Sequence, residues 1–162
     1  MQIKLVPAIK GLITAVIMIA VFLGIYYSGK DADARLQYLV YILYAIGITW
    51  TVVAYRQSAG FTGKFGDMFS QGFKCFIVVT LIVVLFYGVF NYQHPEFRDE
   101  AAVAYKEQLE KQKDKLPPDI ESEVATYKKQ YTLRLVSTAI FGYLIIGAGV
   151  TAVLSALLTR RK

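Results

Sequence analysis

The sequence predicts an all-α fold: an integral membrane four-helix bundle with an extramembrane helical hairpin between the third and fourth spans. Four stretches without a charged side chain support this prediction, and they cover residues 11–29, 36–55, 75–93 and 135–159. Each is about long enough to cross a bilayer core of roughly 30 Å as a helix. Charged residues gather instead at the ends and in the connections, although 56% of the 162 residues are hydrophobic. Helices are expected because lipid offers no hydrogen-bond partners, so every backbone polar group must form its hydrogen bond within its own segment.

We assign residues 1–162 to a single membrane domain whose spans cover about residues 8–29, 36–56, 69–94 and 133–159. The first span also has features of a signal peptide. Lys4 and Lys10 precede its charge-free run, and Ala32-Asp33-Ala34 has the small-x-small form of a cleavage site. Because the apolar run is longer than the roughly 7–15 residues of a signal-peptide core, we predict a membrane helix that is not cleaved.

The distribution of Lys and Arg predicts that both termini lie in the cytoplasm. Four spans place the two termini in one compartment, and short cytoplasmic loops and tails carry the excess of positive charge. In this arrangement Asp67 is the only acid on the cytoplasmic side. The bases on that side are Lys4, Lys10, Arg56, Lys64, Lys74, Arg160, Arg161 and Lys162. On the opposite side the first loop balances bases with acids: Lys30, Arg35, Asp31 and Asp33.

The charged segment 96–132 is predicted to form a helical hairpin in the periplasm. Two apolar stripes at helical spacing flank the helix-breaking pair Pro117-Pro118. The first stripe is Phe97, Ala101, Tyr105 and Leu109, and the second is Ile120, Val124, Tyr127 and Tyr131. No breaker precedes Arg134, so the second helix is expected to continue into the fourth span. The favoured interpretation is that the stripes pack on each other; the alternative is that the second stripe binds a partner.

Small residues repeat every four positions on two spans, which permits close approach of helix backbones. They are Ala20, Gly24 and Ser28 on the first span and Ala148, Ala152 and Ala156 on the fourth. We expect these faces to pack within the bundle; the alternative is that they join copies of the chain in a homo-oligomer.

Aromatic and basic side chains near the ends of the spans are expected at the membrane surfaces. Tyr38, Tyr41 and Tyr44 recur at a spacing of three and are assigned to an aromatic belt. Lys10 lies at the start of the first span, where its long side chain is expected to reach water.

The loop between the second and third spans is interpreted as a turn at the membrane surface, and the favoured interpretation is a plain turn that leads into the third helix. Gly60, Gly63 and Gly66 are spaced by three, which does not match the phosphate-binding loop pattern. The alternative interpretation is that this turn contacts lipid. The side chains expected to contact lipid headgroups are Arg56, Lys64 and Lys74.

No set of residues in the sequence predicts a catalytic site, a cofactor or a metal. His94 is the only histidine, and beside Pro95 and Glu96 it is interpreted as part of a structural elbow. Cys75 is the only cysteine, which excludes an intramolecular disulfide and a thiolate metal cluster. No ionisable residue lies in the middle of a span, unlike in most ion-coupled carriers. The net charge of +6 does not indicate nucleic-acid binding, because the bases flank membrane spans.

Four features follow one another along nearly the whole chain. Phe65–Lys74 opens the third span, Asn91–Pro95 closes it, a charged insert follows, and Gly142–Lys162 is a small-residue helix with a basic tail. In this order they resemble the membrane proteins of domain of unknown function family 4199. The resemblance implies a protein of Bacteroidota in a Gram-negative inner membrane, with no established activity, cofactor or substrate. It also implies an envelope-glycan glycosyltransferase as a membrane-protein partner.

Together these observations predict a non-catalytic accessory or scaffolding subunit of an envelope complex. An alternative is a small oligomeric carrier or flippase-like protein that moves a lipid-linked or uncharged substrate. A third hypothesis, a membrane enzyme, requires His94 and Glu96 to converge with further groups.

Overall fold

The computed structural model describes residues 6–29, 34–111 and 116–159, which fold into five helices without a strand. The helices are α1 (Pro7–Tyr27), α2 (Ala34–Arg56), α3 (Phe65–Gln93), α4 (Pro95–Glu110) and α5 (Pro117–Thr159). Four of them, α1, α2, α3 and α5, are long and apolar enough to cross a membrane. The predicted all-α membrane fold is therefore confirmed. Part of the orientation prediction lies outside the described residues: Lys4, Lys30, Asp31, Asp33, Arg160, Arg161, Lys162 and the side chain of Arg35.

Three of the helices begin at a proline. α1 starts at Pro7, α4 at Pro95 and α5 at Pro117. A residue in the first helical turn needs no backbone N–H for the helix's own hydrogen bonds, and the proline ring already fixes φ at about −65°. α3 ends at Gln93, so His94 and Pro95 form the elbow between α3 and α4.

α5 is a single helix of 43 residues, from Pro117 to Thr159. At about 1.5 Å per residue its length is about 65 Å. The chain segment predicted as the second hairpin helix and the segment predicted as the fourth span are therefore parts of one helix. α3 is also longer than its predicted span, because it begins at Phe65 and contains 29 residues.

The chain divides into two compact units, each described here by itself. The bundle unit contains the residues up to Val83 and those from Ile140 onward, and the α4 unit contains Val84–Ala139. The bundle unit holds α1, α2, the first part of α3 and the last part of α5. The α4 unit holds α4 together with the remaining parts of α3 and α5.

The outer surfaces of the long helices are apolar. In the bundle unit, Val16 is 56% exposed, Ile46 is 57% exposed and Ile145 is 70% exposed. Large aliphatic side chains on so many outward positions are unfavourable in water but suited to lipid. The exposed surface thus agrees with helices that cross a membrane.

Glycines allow α1 to lie directly against α2 and α3. A Cβ atom built on Gly47 of α2 would lie 2.9 Å from the Cβ of Thr14 in α1. A Cβ built on Gly11 of α1 would lie 2.7 Å from the backbone carbonyl oxygen of Cys75 in α3. Since real Cβ atoms do not approach other atoms so closely, both positions require a residue without a side chain.

Two further glycines fix α5 within the bundle unit. A Cβ on Gly72 of α3 would lie 2.8 Å from the hydroxyl oxygen of Thr151 in α5. A Cβ on Gly147 of α5 would lie 2.8 Å from the ring of Phe76 and would also clash with the Tyr44 hydroxyl. α5 therefore contacts α3 and α2 through backbone surfaces that only glycine leaves open.

The small-residue face of α1 does not pack inside the chain. Ala20, Gly24 and Ser28 are all exposed, and a Cβ on Gly24 would meet no atom within 4 Å. The prediction that this face packs within the bundle was wrong, because the buried residues of α1 lie nearer its start. The buried residues of α1 are Lys10, Gly11, Thr14, Ala15 and Met18.

On α5 the buried stripe lies one position before the predicted alanines. Its members recur every four residues: Tyr143, Gly147, Thr151 and Ser155. Ala148, Ala152 and Ala156 are half-buried beside this stripe. The alanines thus border the contact surface, whereas glycine and hydroxyl-bearing residues form its centre.

We expect Gly147→Ala to lower the free energy of unfolding by about 1–3 kcal/mol, because the new methyl group overpacks the contact with Phe76. Gly149→Ala is a matched control on the same helix, where a Cβ meets no atom within 4 Å. This control should be neutral or stabilising by up to about 1 kcal/mol, since alanine favours a helix over glycine. Reversible unfolding in mixed micelles, followed by circular dichroism, measures both. Equal effects of the two substitutions would contradict the packing described.

Candidate functional site

A row of buried polar side chains runs through the bundle unit and is termed the polar seam. Its hydroxyl groups belong to Thr14, Thr51, Thr80, Thr151, Ser155 and Tyr44, and Cys75 adds a thiol. All seven residues are buried, with at most 5% of any of them exposed. A buried polar group needs a hydrogen bond to offset the loss of water. The partners of the seam therefore show how the helices are held together.

The carbonyl oxygen of Gly47 is a meeting point of the seam. The Thr51 hydroxyl donates to it at 3.0 Å, and the Cys75 thiol donates to it at 3.9 Å. The first bond lies within α2, and the second connects α3 to α2. In α1, the Thr14 hydroxyl donates to the carbonyl oxygen of Lys10 at 2.8 Å. Thr14 and Thr51 are thus satisfied by the carbonyl four residues earlier, a common arrangement for buried threonines in helices.

Tyr44 connects α2 to α5 by a direct hydrogen bond. Its hydroxyl donates to the carbonyl oxygen of Tyr143 at 2.9 Å, and the two rings meet edge to face with centroids 5.2 Å apart. The assignment of Tyr44 to an aromatic belt was wrong, since this side chain is fully buried while Tyr38 is 65% exposed. At 3.6 residues per turn, a spacing of three moves around the helix instead of following one face.

Three hydroxyl groups of the polar seam have no hydrogen-bond partner within the described ranges of the chain. They belong to Thr80, Thr151 and Ser155. Their side chains are short, and Thr151 is one of the groups that contact Gly72. Hydroxyl groups donate and accept hydrogen bonds without titrating near neutral pH. Within the described ranges, the hydrogen bonds of the seam that join different helices are those of Tyr44 and Cys75.

The three bases expected to contact lipid lie at the connection between α2 and α3 and on α3 itself. Arg56 is the last residue of α2 and is half-buried, whereas Lys64 and Lys74 are exposed. The backbone N–H of Lys64 donates to the Thr62 hydroxyl at 3.3 Å, which orders the start of α3. Among the residues that the structure describes, no carboxylate forms an ion pair with any of these three bases.

Lys10 does not reach out to water as expected. The residue is only 8% exposed, and its ammonium group lies over the ring of Trp50, 5.5 Å from the ring centroid. The physical reason is the position of α1 against α2, which places the lysine beside an aromatic face that attracts a cation. No pattern along the chain indicates this contact, because the two residues lie on different helices.

In the α4 unit, α4 packs against the first part of α5. The rings of Tyr105 and Tyr127 stack with centroids 4.4 Å apart. The ammonium group of Lys128 lies 3.2 Å from the carboxylate of Asp99. Ala102, Leu109 and Ile120 are buried, whereas Val124, Tyr127 and Tyr131 are half-buried. The stripe considered as a partner-binding surface therefore supplies contacts inside its own unit.

His94 lies at the elbow between α3 and α4. Its Nδ1 atom is 2.6 Å from a carboxylate oxygen of Glu96, and its ring lies 4.4 Å from the ring of Phe90, centroid to centroid. The pKa of Glu96 lies below its usual value. The largest cause is a hydrogen bond from the backbone N–H of Glu96 to its own carboxylate, and the bond with His94 is the next largest. Within residues 6–29, 34–111 and 116–159, no three His, Cys, Asp or Glu side chains are grouped to hold a metal ion.

Comparison with known families identifies the chain at the level of its family. The sequence profile of the family described as "Protein of unknown function (DUF4199)" matches residues 10–161. The chain belongs to this family. The resemblance seen in the sequence is thus confirmed, and the match covers the polar seam and the α4 unit of this DUF4199 protein. No curated protein and no solved structure matches the chain.

We expect Tyr44→Phe to lower the free energy of unfolding by about 0.5–1.5 kcal/mol, because the Tyr143 carbonyl loses its hydrogen bond. Tyr41→Phe is the matched control, since Tyr41 lies on the same helix, is 41% exposed and contacts Tyr143 through its ring. The control should change stability by a few tenths of a kcal/mol at most. Unfolding in mixed micelles tests both, and an equal loss in the control would contradict the assigned bond.

We expect acid to weaken the contact between α4 and α5. The Lys128 ammonium group, which binds the carboxylate of Asp99, holds the pKa of Asp99 below its usual value. A lowered folded-state pKa means that the pair stabilises the fold above about pH 4, and that this stabilisation is lost as the pH falls through the folded-state pKa. Amide hydrogen exchange of α4, corrected for intrinsic rates, should therefore rise in acid. Asp99→Asn should remove this extra acid sensitivity; an unchanged profile in that variant would contradict the prediction.

Proposed function

We propose that this DUF4199 protein is a non-catalytic accessory or scaffolding subunit of an envelope complex in a bacterial inner membrane. In this proposal both termini lie in the cytoplasm and the helical hairpin 96–132 lies in the periplasm. Arg56 and Lys64, at the connection of α2 and α3, support the orientation, because positive charge favours the cytoplasmic side. The proposed partner is a membrane protein, and the family resemblance favours an envelope-glycan glycosyltransferase.

One surface of the α4 unit supports the accessory role. Glu100, Val103, Ala104 and Glu107 are all exposed, and their spacing places them on one side of α4. This group is termed the α4 outer face, and it lies opposite the buried Ala102 and Leu109. Val103 is 58% exposed although it lies in a charged helix outside the apolar spans. An apolar centre flanked by carboxylates is a suitable contact for a partner with an apolar patch and basic side chains.

The α4 outer face is a better candidate than the tyrosine stripe. Ile120 is buried, and the Tyr127 ring is stacked on Tyr105. Polar substitutions in that stripe would disturb the packing of α4 against α5, so a lost partner would not distinguish binding from misfolding. Substitutions on the outer face leave these contacts intact.

A small oligomeric carrier is the second candidate. The observation in its favour is that Arg56, Lys64 and Lys74 have no ion-pair partner among the described residues. These bases are suited to hold an anionic headgroup of a lipid-linked substrate. This role requires a homo-oligomer and does not require a contact at the α4 outer face.

We expect a photo-crosslinking residue at position Val103, in cells that express the chain at native level, to yield one discrete product with another protein. Ala125, an exposed residue of α5, is the control position and should not yield this product. Glu107→Lys should weaken the product at position 103, because it reverses a charge on the contact surface. Mass spectrometry identifies the partner. Products with only a second copy of the chain or with lipid would contradict the accessory role and favour the carrier.

A further inference from the structure

Lys10 is a buried cation at the edge of a membrane span. It is the fourth residue of α1, which begins at Pro7. Only 8% of the residue is exposed, and its ammonium group lies 5.5 Å from the centroid of the Trp50 ring. Trp50 itself is 41% exposed, so the ring that covers Lys10 also reaches the outer surface of the bundle unit.

The described part of the bundle unit offers Lys10 no counter-charge. Asp67 is its only carboxylate in those ranges, and the Thr62 hydroxyl donates to this group at 2.5 Å. Cys75 is a neutral neighbour of α1, because its thiol donates to the Gly47 carbonyl. The other described bases of the unit, Arg56, Lys64 and Lys74, repel a cation.

A cation in this position is costly unless an anion or hydrogen-bond acceptors lie beside it. The Trp50 ring supplies attraction on one side of the ammonium group, but it does not satisfy three N–H donors. The start of a spanning helix and a partly exposed tryptophan both belong to the headgroup level of a bilayer. The abundant anions at that level are lipid phosphates.

We propose that Lys10 and Trp50 form a binding site for the phosphate group of an anionic phospholipid near the start of α1. The ammonium group binds the phosphate oxygens, and the indole ring packs against the glycerol and the upper part of an acyl chain. Lipid reaches the site from the side, across the exposed edge of Trp50. The site is independent of the proposed accessory role, because it uses no residue of the α4 unit.

The test measures lipid binding to the purified chain by native mass spectrometry in a neutral detergent. Phosphatidylglycerol, phosphatidylcholine and inorganic phosphate are added separately. We expect Lys10→Met to lower phosphatidylglycerol binding at least about fivefold, the effect of one basic side chain near a lipid surface. Lys10→Arg should retain binding because it keeps the charge and the ring contact. Lys129→Met, which removes an exposed lysine outside the bundle unit, is the matched control and should retain most of the binding.

Trp50→Leu is a second variant that keeps the test valid if Lys10→Met does not fold. It should also weaken phosphatidylglycerol binding, because the ammonium group loses its ring partner while its charge remains. Three results would overturn the proposal: equal losses in Lys10→Met and Lys129→Met, equal binding of phosphatidylglycerol and phosphatidylcholine, or displacement of lipid by inorganic phosphate. The last result would assign the site to a soluble phosphate compound.

Discussion

The close approach of three helices at Gly47 is the constraint on which the bundle unit depends. The missing side chain of Gly47 admits Thr14 of α1, and its carbonyl oxygen accepts hydrogen bonds from Thr51 of α2 and Cys75 of α3. A larger residue would separate the backbones and would remove contacts of all three helices together. In lipid, where the hydrophobic effect does not drive helices toward each other, such short-range packing and hydrogen bonding supply the attraction.

The same logic extends to α5. The contacts of Gly72 and Gly147, together with the bond from Tyr44 to the Tyr143 carbonyl, join α5 to α2 and α3. The polar groups of the spans are thus mostly used between or within helices. The described bases of the bundle unit, Lys10, Arg56, Lys64 and Lys74, differ from them, because none forms an ion pair within the described ranges. Packing contacts inside the spans therefore form the structural part of the bundle unit. The bases near the ends of the spans form the part that can bind an anion.

The sequence predicted the helices well and the faces of the spans poorly. Length and absence of charge suffice to identify a spanning helix, since the bilayer imposes both. The face that packs is harder to identify, because lipid-facing and helix-facing positions are both apolar and no periodicity separates them. Ala20 and Gly24 were therefore placed inside the bundle although they are exposed, and Tyr44 was placed at its surface although it is buried. In the charged segment, the residues of the predicted stripe, Ile120, Val124, Tyr127 and Tyr131, are buried or half-buried in the structure. Lys10 beside Trp50 was missed because a contact between two helices leaves no pattern along the chain.

The boundary between the two units has an energetic consequence. It is crossed within α3, at Val83 and Val84, and within α5, at Ala139 and Ile140. Two continuous ladders of backbone hydrogen bonds therefore run through the boundary, in place of the flexible linkers that usually separate domains. Opening either unit at this point breaks a helix in the middle, which costs more than fraying at its end. A helix-breaking substitution at this boundary is therefore expected to disturb residues of both units.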